Sequence, residues 1–275
     1  RTLGSRFHAD PRIQAVELLL QERISQKPLI IDRWKWLPTR PIRAEDDNEF
    51  ERHFQSVDTR IPEARILSNG RYVVMLTSSG SGFSRFGEIA LSRWRENPYK
   101  DPWGTFFYIN DLTERKIWSA TYQPFHDQQT VDDMSFSLEK VTFNRTNGDI
   151  HCQTEVSVSP EADAEIRRLT FTNNGGRPHI LEVTSYSEVV LSSRNADDDH
   201  PSFNKLFVHT EFSHHPEALV VNRRGRTPEE HYPWLAHSVN VEGKVVGVLE
   251  YETDRARFLG RGHFYDRPRA VVENQ

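Results

Sequence analysis

Few residue groupings in this chain have the spacing of a recognisable chemical device. Asp197-Asp198-Asp199-His200 sets three carboxylates beside an imidazole, oxygen and nitrogen donors that could hold a divalent cation. No second ligand group lies at a suitable spacing, so a solvated acidic loop between two strands is the plainer expectation. The run Ser78-Ser79-Gly80-Ser81-Gly82 resembles a phosphate cradle. Such a cradle needs a strand before it and a helix behind it. The strand signal is present, but residues 83–88 carry no helix start, so a flexible loop is expected. His209 and Glu211 stand two apart on an expected strand and therefore share a face, where they could pair as general acid and base. His214 and His215 point their rings apart on an extended chain. Neither a Gly-x-Ser-x-Gly elbow nor a His-Glu-x-x-His helix is present. Asn144-Arg145-Thr146 fits the glycosylation pattern, which is read as coincidence in the absence of a secretory signal.

A further group combines aromatic rings with arginines. Trp94, Trp103, Tyr108 and Trp118 lie in one stretch, interleaved with Arg93, Arg95 and Arg115. Sugars present apolar C–H faces and hydroxyl rims, which aromatic planes and guanidinium forks match. Each ring taken singly is better explained by alternation into a core.

The elements that must position these residues follow from the pattern. Asp10 suits an N-cap and Pro11 the first helical position, and Ile13, Val16, Leu19, Leu20 and Ile24 recur at helical spacing. A helix is predicted over 11–25. Residues 26–61 contain Pro28, Pro38, Pro41 and the acidic run Glu45-Asp46-Asp47, with Pro62 just beyond, and read as an extended linker. From Ala64 short alternating runs appear, bounded by turn residues. Hairpins are predicted around Asn69-Gly70, Asn110-Asp111, residues 146–149 and residues 173–176, the last joining strands at 164–172 and 179–190. Further strands are expected at 206–212, 218–222, 238–241 and 245–251. About a dozen strands with turn signals roughly every 8–12 residues predict a mainly β, large antiparallel sandwich. The expected organisation is helix and linker over 1–62 and sandwich over 63–275.

Composition narrows the function classes. The chain has 275 residues, with 35 Lys and Arg against 40 Asp and Glu, a formal net charge of −5. That balance argues against a general nucleic-acid binder, which needs a basic surplus. No apolar run approaches the roughly 20 residues of a membrane span. A single cysteine, Cys152, excludes an internal disulfide and a cysteine-based zinc cluster. The chain starts at Arg1 and holds only Met75 and Met134, so it is expected to be a piece of a longer polypeptide.

The runs Leu67-Ser68-Asn69-Gly70-Arg71-Tyr72, Gly82-Phe83-Ser84-Arg85, Leu91-Ser92-Arg93-Trp94-Arg95-Glu96 and Asp101-Pro102-Trp103-Gly104-Thr105-Phe106 resemble the cyclic β-1,2-glucan synthases. More narrowly, they resemble the phosphorylase-like region of those proteins, in the cellobiose phosphorylase group, glycoside hydrolase family 94. Phe7-His8-Ala9-Asp10-Pro11, the stretch 196–207 with His200-Pro201 and Lys205-Leu206-Phe207, and residues 254–262 carry the same likeness. It spans nearly all of residues 7–265.

The resemblance implies a galactose mutarotase-like β-supersandwich, followed in the family by a helical linker and an (α/α)6 barrel. It implies that the general-acid aspartate and the groups binding inorganic phosphate lie in the barrel, so no catalytic residue, metal or other cofactor is expected on this chain. Expected partners are a β-glucan oligosaccharide, the catalytic barrel and a second copy in a homodimer. The implied setting is the cytoplasmic side of the bacterial inner membrane, within a larger membrane protein, or the cytoplasm. Sandwich loops in this group lean over the barrel mouth. The loops at 80–85 and 195–203 are therefore expected to face it, with Arg85, His200 and Phe203 nearest sugar and Trp94, Arg95 and Trp103 as further contacts. Two alternatives remain. A free-standing carbohydrate-binding module would grip glucan through exposed Trp94, Trp103 or Trp118. A mutarotase-like epimerase would use His209 and Glu211.

Overall fold

The computed structural model describes residues 10–13, 51–57, 63–97, 100–126, 131–225, 227 and 229–273. The chain divides into two compact units, Arg1–Asn48 and Glu49–Gln275. In the first, residues 11–13 are helical, and Asp10 Oδ1 accepts the Arg12 amide at 2.9 Å as an N-cap does. The remainder of the predicted helix, and the linker as far as residue 50, lie outside the described residues.

The second unit holds sixteen strands among the described residues. Sheet I has the order β13-β5-β4-β3-β2: β2 (Ala64–Ser68), β3 (Tyr72–Thr77), β4 (Gly82–Phe86), β5 (Ile89–Ser92) and β13 (Val189–Ser193). Sheet II has the order β12-β6-β7: β6 (Phe106–Asp111), β7 (Lys116–Ser119) and β12 (Leu181–Tyr186). Sheet III has the order β1-β8-β9-β10-β11: β1 (Arg52–Phe54), β8 (Val131–Phe136), β9 (Lys140–Asn147), β10 (Ile150–Val158) and β11 (Glu165–Asn173). Sheet IV joins β14 (Val208–His214), β15 (Glu217–Arg223) and β16 (Leu235–His237). The pairings are antiparallel throughout, so the predicted mainly β class holds. Four short helices follow the strands or interrupt them: α1 (Arg194–Asp199), α2 (Pro201–Lys205), α3 (Arg255–Leu259) and α4 (Arg269–Val272). Among the described residues no helix is long and apolar enough to cross a membrane.

Alternation builds the layers. On β10, Ile150, Cys152, Thr154 and Val156 are buried while His151, Gln153 and Glu155 are not. That single inward face serves two cores. Val156 joins Val141, Phe143, Met134 and Phe136 against Tyr72, Val74, Leu76 and Leu91 of sheet I. Ile150 and Cys152 pack on Ile109 and Trp118 of sheet II. Sheet II is covered on its other face too. There Phe106 and Tyr108 meet Phe258, Leu259, Tyr265 and Val271 of the C-terminal segment, and the Tyr108 hydroxyl donates to the Tyr265 carbonyl at 2.8 Å. Each large apolar side chain sealed in this way contributes roughly 1.5–3 kcal/mol.

Several expectations are corrected. Arg52–Phe54 falls in the stretch read as linker, yet it pairs with β8 as the edge of sheet III. Of the Asn69-Gly70 pair only Gly70 has a positive φ, and Asn69 Oδ1 instead accepts the Arg71 and Tyr72 amides. The turn expected at Asn110-Asp111 lies at 112–115, because Asp111 ends β6 and its Oδ1 accepts the Thr113 and Glu114 amides. β11 and β12 do not form a hairpin; they belong to different sheets. The strand predicted over 179–190 is two strands, broken at Ser187 and Glu188. The strands expected at 238–241 and 245–251 are irregular. Their alternating apolar side chains, Val239, Val241, Val245 and Val248 among them, are exposed, and Tyr251 stacks on Phe212 at 4.5 Å. An alternating pattern specifies two faces but forms a strand only against a partner ladder.

Candidate functional site

The break between β12 and β13 is where the chain leaves sheet II for sheet I, and Glu188 sits at that corner. Its backbone carbonyl accepts the Arg93 amide at 2.8 Å. Its carboxylate accepts Arg93 Nη1 at 2.8 Å, Tyr265 Oη at 2.7 Å, Tyr186 Oη at 3.0 Å and Arg255 Nε, with Lys205 Nζ at 3.4 Å. Arg93 also turns two further nitrogens onto Asp197: Nε to Oδ2 at 2.7 Å and Nη2 to Oδ1. Arg93, Glu188 and Asp197 are all buried.

Three cations thus surround two carboxylates. Burial by itself would raise the Glu188 carboxyl, but the Arg255 hydrogen bond, the Lys205 charge and the Tyr265 hydroxyl bring it down to about 2. Burial lowers Lys205, and the Glu188 charge offsets this only in part. Burial and then the nearby Glu188 charge raise the Tyr186 and Tyr265 hydroxyls. The cluster is a lock of ion pairs and hydrogen bonds built around an ionised Glu188.

The lock holds α1 and α2 against the sandwich. Ser193 caps α1, accepting the Ala196 amide at 3.4 Å, and Pro201 opens α2. Buried Asn204 ties the two helices together by donating to the Ala196 carbonyl. Arg223 of β15 then donates to Asn204, Nη2 to Oδ1 at 2.7 Å and Nη1 to the carbonyl at 3.0 Å. Arg95 Nη2 donates to the Asp197 carbonyl at 3.0 Å. The outer side of this pinned pair shows His200, Phe203 (47 % exposed) and Leu206 (73 % exposed) to solvent.

The sequence-predicted residues fall unevenly around this corner. Trp94, Arg95, His200 and Phe203 gather on it. Trp94 is half-buried, with Phe83 beside it at 5.7 Å and the Arg194 guanidinium over its ring at 4.8 Å. Phe203 stands edge-on to Phe207 at 5.1 Å. Trp103 lies beneath the corner, edge-on to Tyr265 at 5.6 Å and packed into the core of sheet II. Arg85 is exposed on β4, not on a loop. Its register partner Ala90 pairs with Ser192, so it lies two strands, about 10 Å, from the approach to α1.

Other expectations are overturned here. Residues 195–203 are not a loop but the α1–α2 pair, and the acidic run is solvated only in part: Asp197 is held inside by Arg93, while Asp198 and Asp199 are exposed. The Ser78–Gly82 segment is not flexible. Thr77 and Ser79 both donate to Asp101 Oδ2 at 2.7 Å, Ser81 Oγ donates to the Asp101 carbonyl, and the segment is buried. Trp118 is 1 % exposed, which removes it as a sugar platform. His209 and Glu211 share β14 but both face solvent. Among the described residues no three His, Cys, Asp or Glu side chains gather as metal ligands. Glu188 itself went unnoticed in the sequence; its one signal is a lone carboxylate inside a strand-like run, Tyr186-Ser187-Glu188-Val189-Val190.

Comparison with known proteins places this geometry in context. The model of a family described as "Glycosyl hydrolase 94, supersandwich domain" matches residues 48–275. The chain is 37% identical over 259 residues to cyclic beta-(1,2)-glucan synthase NdvB of Rhizobium meliloti (strain 1021), covering 93% of this chain and 9% of that protein. It is 24% identical to a solabiose phosphorylase of Paenibacillus borealis, over 82% of this chain and 29% of that one. It is 20% identical to an N,N'-diacetylchitobiose phosphorylase of Vibrio proteolyticus, over 79% and 27%. The chain therefore spans less than a third of the length of each of these relatives.

Proposed function

The chain belongs to the supersandwich-domain family of glycosyl hydrolase 94, and from that premise we propose that it is the non-catalytic sandwich domain of a β-1,2-glucan synthase or phosphorylase. In this reading it supports an (α/α)6 barrel that supplies the general acid and binds inorganic phosphate, and it pairs with a second copy. It works on the cytoplasmic side of the bacterial inner membrane. The observation that carries the reading is the α1–α2 corner, a rigid ion-locked base that holds a polar ring and an apolar ring outward, His200 and Phe203. Such a pair suits a glucan, with the phenyl ring against a pyranose C–H face and the imidazole reaching a hydroxyl. Arg95 and Trp94 buttress it, and Arg85 extends it along sheet I. The likeness over 93% of the chain to a protein named for β-(1,2)-glucan favours that linkage.

Calorimetric titration of the chain with β-1,2-linked gluco-oligosaccharides, against β-1,4-linked ones, tests this. The expected result is saturable binding selective for the β-1,2 series, weakened about tenfold in Phe203→Ala, the scale of one lost aromatic contact. Absence of heat with both series, or indifference to Phe203→Ala, overturns the glucan contact and leaves the support role alone.

A further inference from the structure

Two apolar runs, residues 238–241 and 245–251, follow β16 and are separated by a bend at Gly243, which has φ +144°. Both have the composition of strands, yet neither belongs to a sheet. Every residue from 238 to 251 is exposed. Val248, at 83 %, is the most exposed large apolar side chain among the described residues. Among the described residues, no amide or carbonyl of 245–251 is hydrogen-bonded to another backbone group. Such a run is an open edge that a further strand can pair with.

The segment is nevertheless tethered. His237 Nε2 lies 3.0 Å from Ser185 Oγ at its start, Glu242 Oε2 lies 3.7 Å from Arg168 Nη2 beside the bend, and Tyr251 stacks on Phe212 at its end. These contacts hold it beside β11, β12 and β14, each of which is the edge of its own sheet. Extended, the second run puts Val245, Leu249 and Tyr251 on the face that meets Phe212, and Val246 and Val248 on the other. Apolar side chains on both faces are the pattern of a strand that is covered on both sides. Val239, Val241, Val245, Val246, Val248 and Leu249 are each more than half exposed, and a contiguous apolar patch of this kind marks an interaction surface.

The run is complementary to itself. Antiparallel pairing of two copies about Val248 sets Val248 opposite Val248, Val246 opposite Glu250, Val245 opposite Tyr251 and Lys244 opposite Glu252. The two outer pairs are of favourable kinds, β-branched with aromatic and cation with anion, and two-fold symmetry repeats each of them. Glu252 Oε1 accepts the Asp254 amide at 2.7 Å, which leaves Oε2 for the ammonium. From 244 to 252 no like charges face each other in this register. Two runs are too few strands for a stable sheet, and two copies bring four.

We propose that residues 245–251 are the surface through which two copies of this chain pair, each run adding to the other as an antiparallel strand about a two-fold axis at Val248. This rests on the reading above in taking a second copy as the partner, and it assigns that pairing a surface. Because both copies use the same run, the contact closes at a dimer.

Sedimentation velocity of the intact chain tests the surface, with dimers expected at about 100 μM protein. Val248→Lys sets two ammoniums across the axis and should weaken the dimer at least about tenfold. That side chain is exposed, so the fold tolerates the change. Lys244→Glu should weaken it too, and adding Glu252→Lys should restore it. Val248→Cys reads the register, because directly opposed Cα atoms of an antiparallel pair lie about 4.5–5.5 Å apart, within the roughly 4.4–6.8 Å of a disulfide. It should cross-link under mild oxidation, whereas Leu138→Cys, exposed between β8 and β9, should not. Native Cys152 is buried and adds no background. A dimer indifferent to Val248→Lys, with cross-linking no better at 248 than at 138, overturns this surface and leaves the pairing of copies standing. A monomer at about 100 μM overturns both and leaves the run to a different polypeptide. Growth beyond the dimer overturns the closed two-fold contact.

Discussion

Arg93 and Asp197, 104 residues apart in sequence, form a two-pronged ion pair inside the protein, with Nε 2.7 Å from Oδ2 and Nη2 on Oδ1. The same guanidinium holds Glu188 with its third nitrogen. One side chain therefore joins the end of β5, the turn between two sheets and the first turn of α1.

Removing that guanidinium strands two buried carboxylates. Arg93→Met is expected to cost about 3–5 kcal/mol, the scale for breaking a buried ion pair from one side. Urea unfolding followed by circular dichroism measures it. Arg93→Lys should recover little, since an ammonium cannot serve both oxygens of Asp197 and also Glu188. Full recovery by lysine would show that charge without geometry suffices.

Acid should loosen the same corner. The Glu188 carboxyl falls from an ordinary 4.5 to about 2 in the folded chain, so the unfolded chain takes up its proton first. The stability it contributes is present above about pH 4.5 and is lost as pH falls toward 2. At about 1.4 kcal/mol per unit this amounts to about 3 kcal/mol. Glu188→Gln is expected to be less stable at neutral pH yet to show a shallower decline between pH 4.5 and 2. An equally steep decline in the variant would assign the acid limb to other carboxylates.

Two glycines on sheet I should respond unequally to alanine. Gly82 has φ +154°, and a Cβ there would lie 1.8 Å from the Met75 carbonyl oxygen. Gly87 has φ +54° with open space around it. Gly87→Ala should cost about 1 kcal/mol, and Gly82→Ala more than ~2 kcal/mol, because strain and a backbone clash combine. Denaturation midpoints of the pair decide it.

Cys152 should be silent in the native protein. Burial pushes its thiol up to about 12, and the thiolate is the reactive form. An aromatic disulfide reagent at pH 8 is expected to modify it only after denaturant is added. Rapid native labelling would mean that sheets II and III open at Cys152.

Much of this architecture was readable from local pattern. The alternation from Ile150 to Val156 encodes one buried face, and Asn69-Gly70 encodes a turn, because both signals are contained in a few neighbouring residues. The corner was readable only in part. Arg95, His200 and Phe203 could be named, but Glu188 could not, since five donors reach it from residues 93, 186, 205, 255 and 265. Such convergence has no linear signature. Residues 179–190 looked like one strand because both halves are apolar, and only the change of sheet at Ser187 and Glu188 separates them. Val245 to Tyr251 misled for the complementary reason: the pattern is a strand's, and no ladder receives it.

β6 has no face to spare. Phe106 and Tyr108 fill one core while Ile109 fills the next, and Asp111 at its end orients His179. On β11, by contrast, Ile166 is exposed and neighbouring positions alternate with solvent. Random substitution should therefore be tolerated very differently by two strands of the same protein. β11 can drift at every second residue, whereas a change almost anywhere along β6 disturbs a neighbour on one side or the other. Six consecutive residues of this chain are constrained by packing on both sides at once.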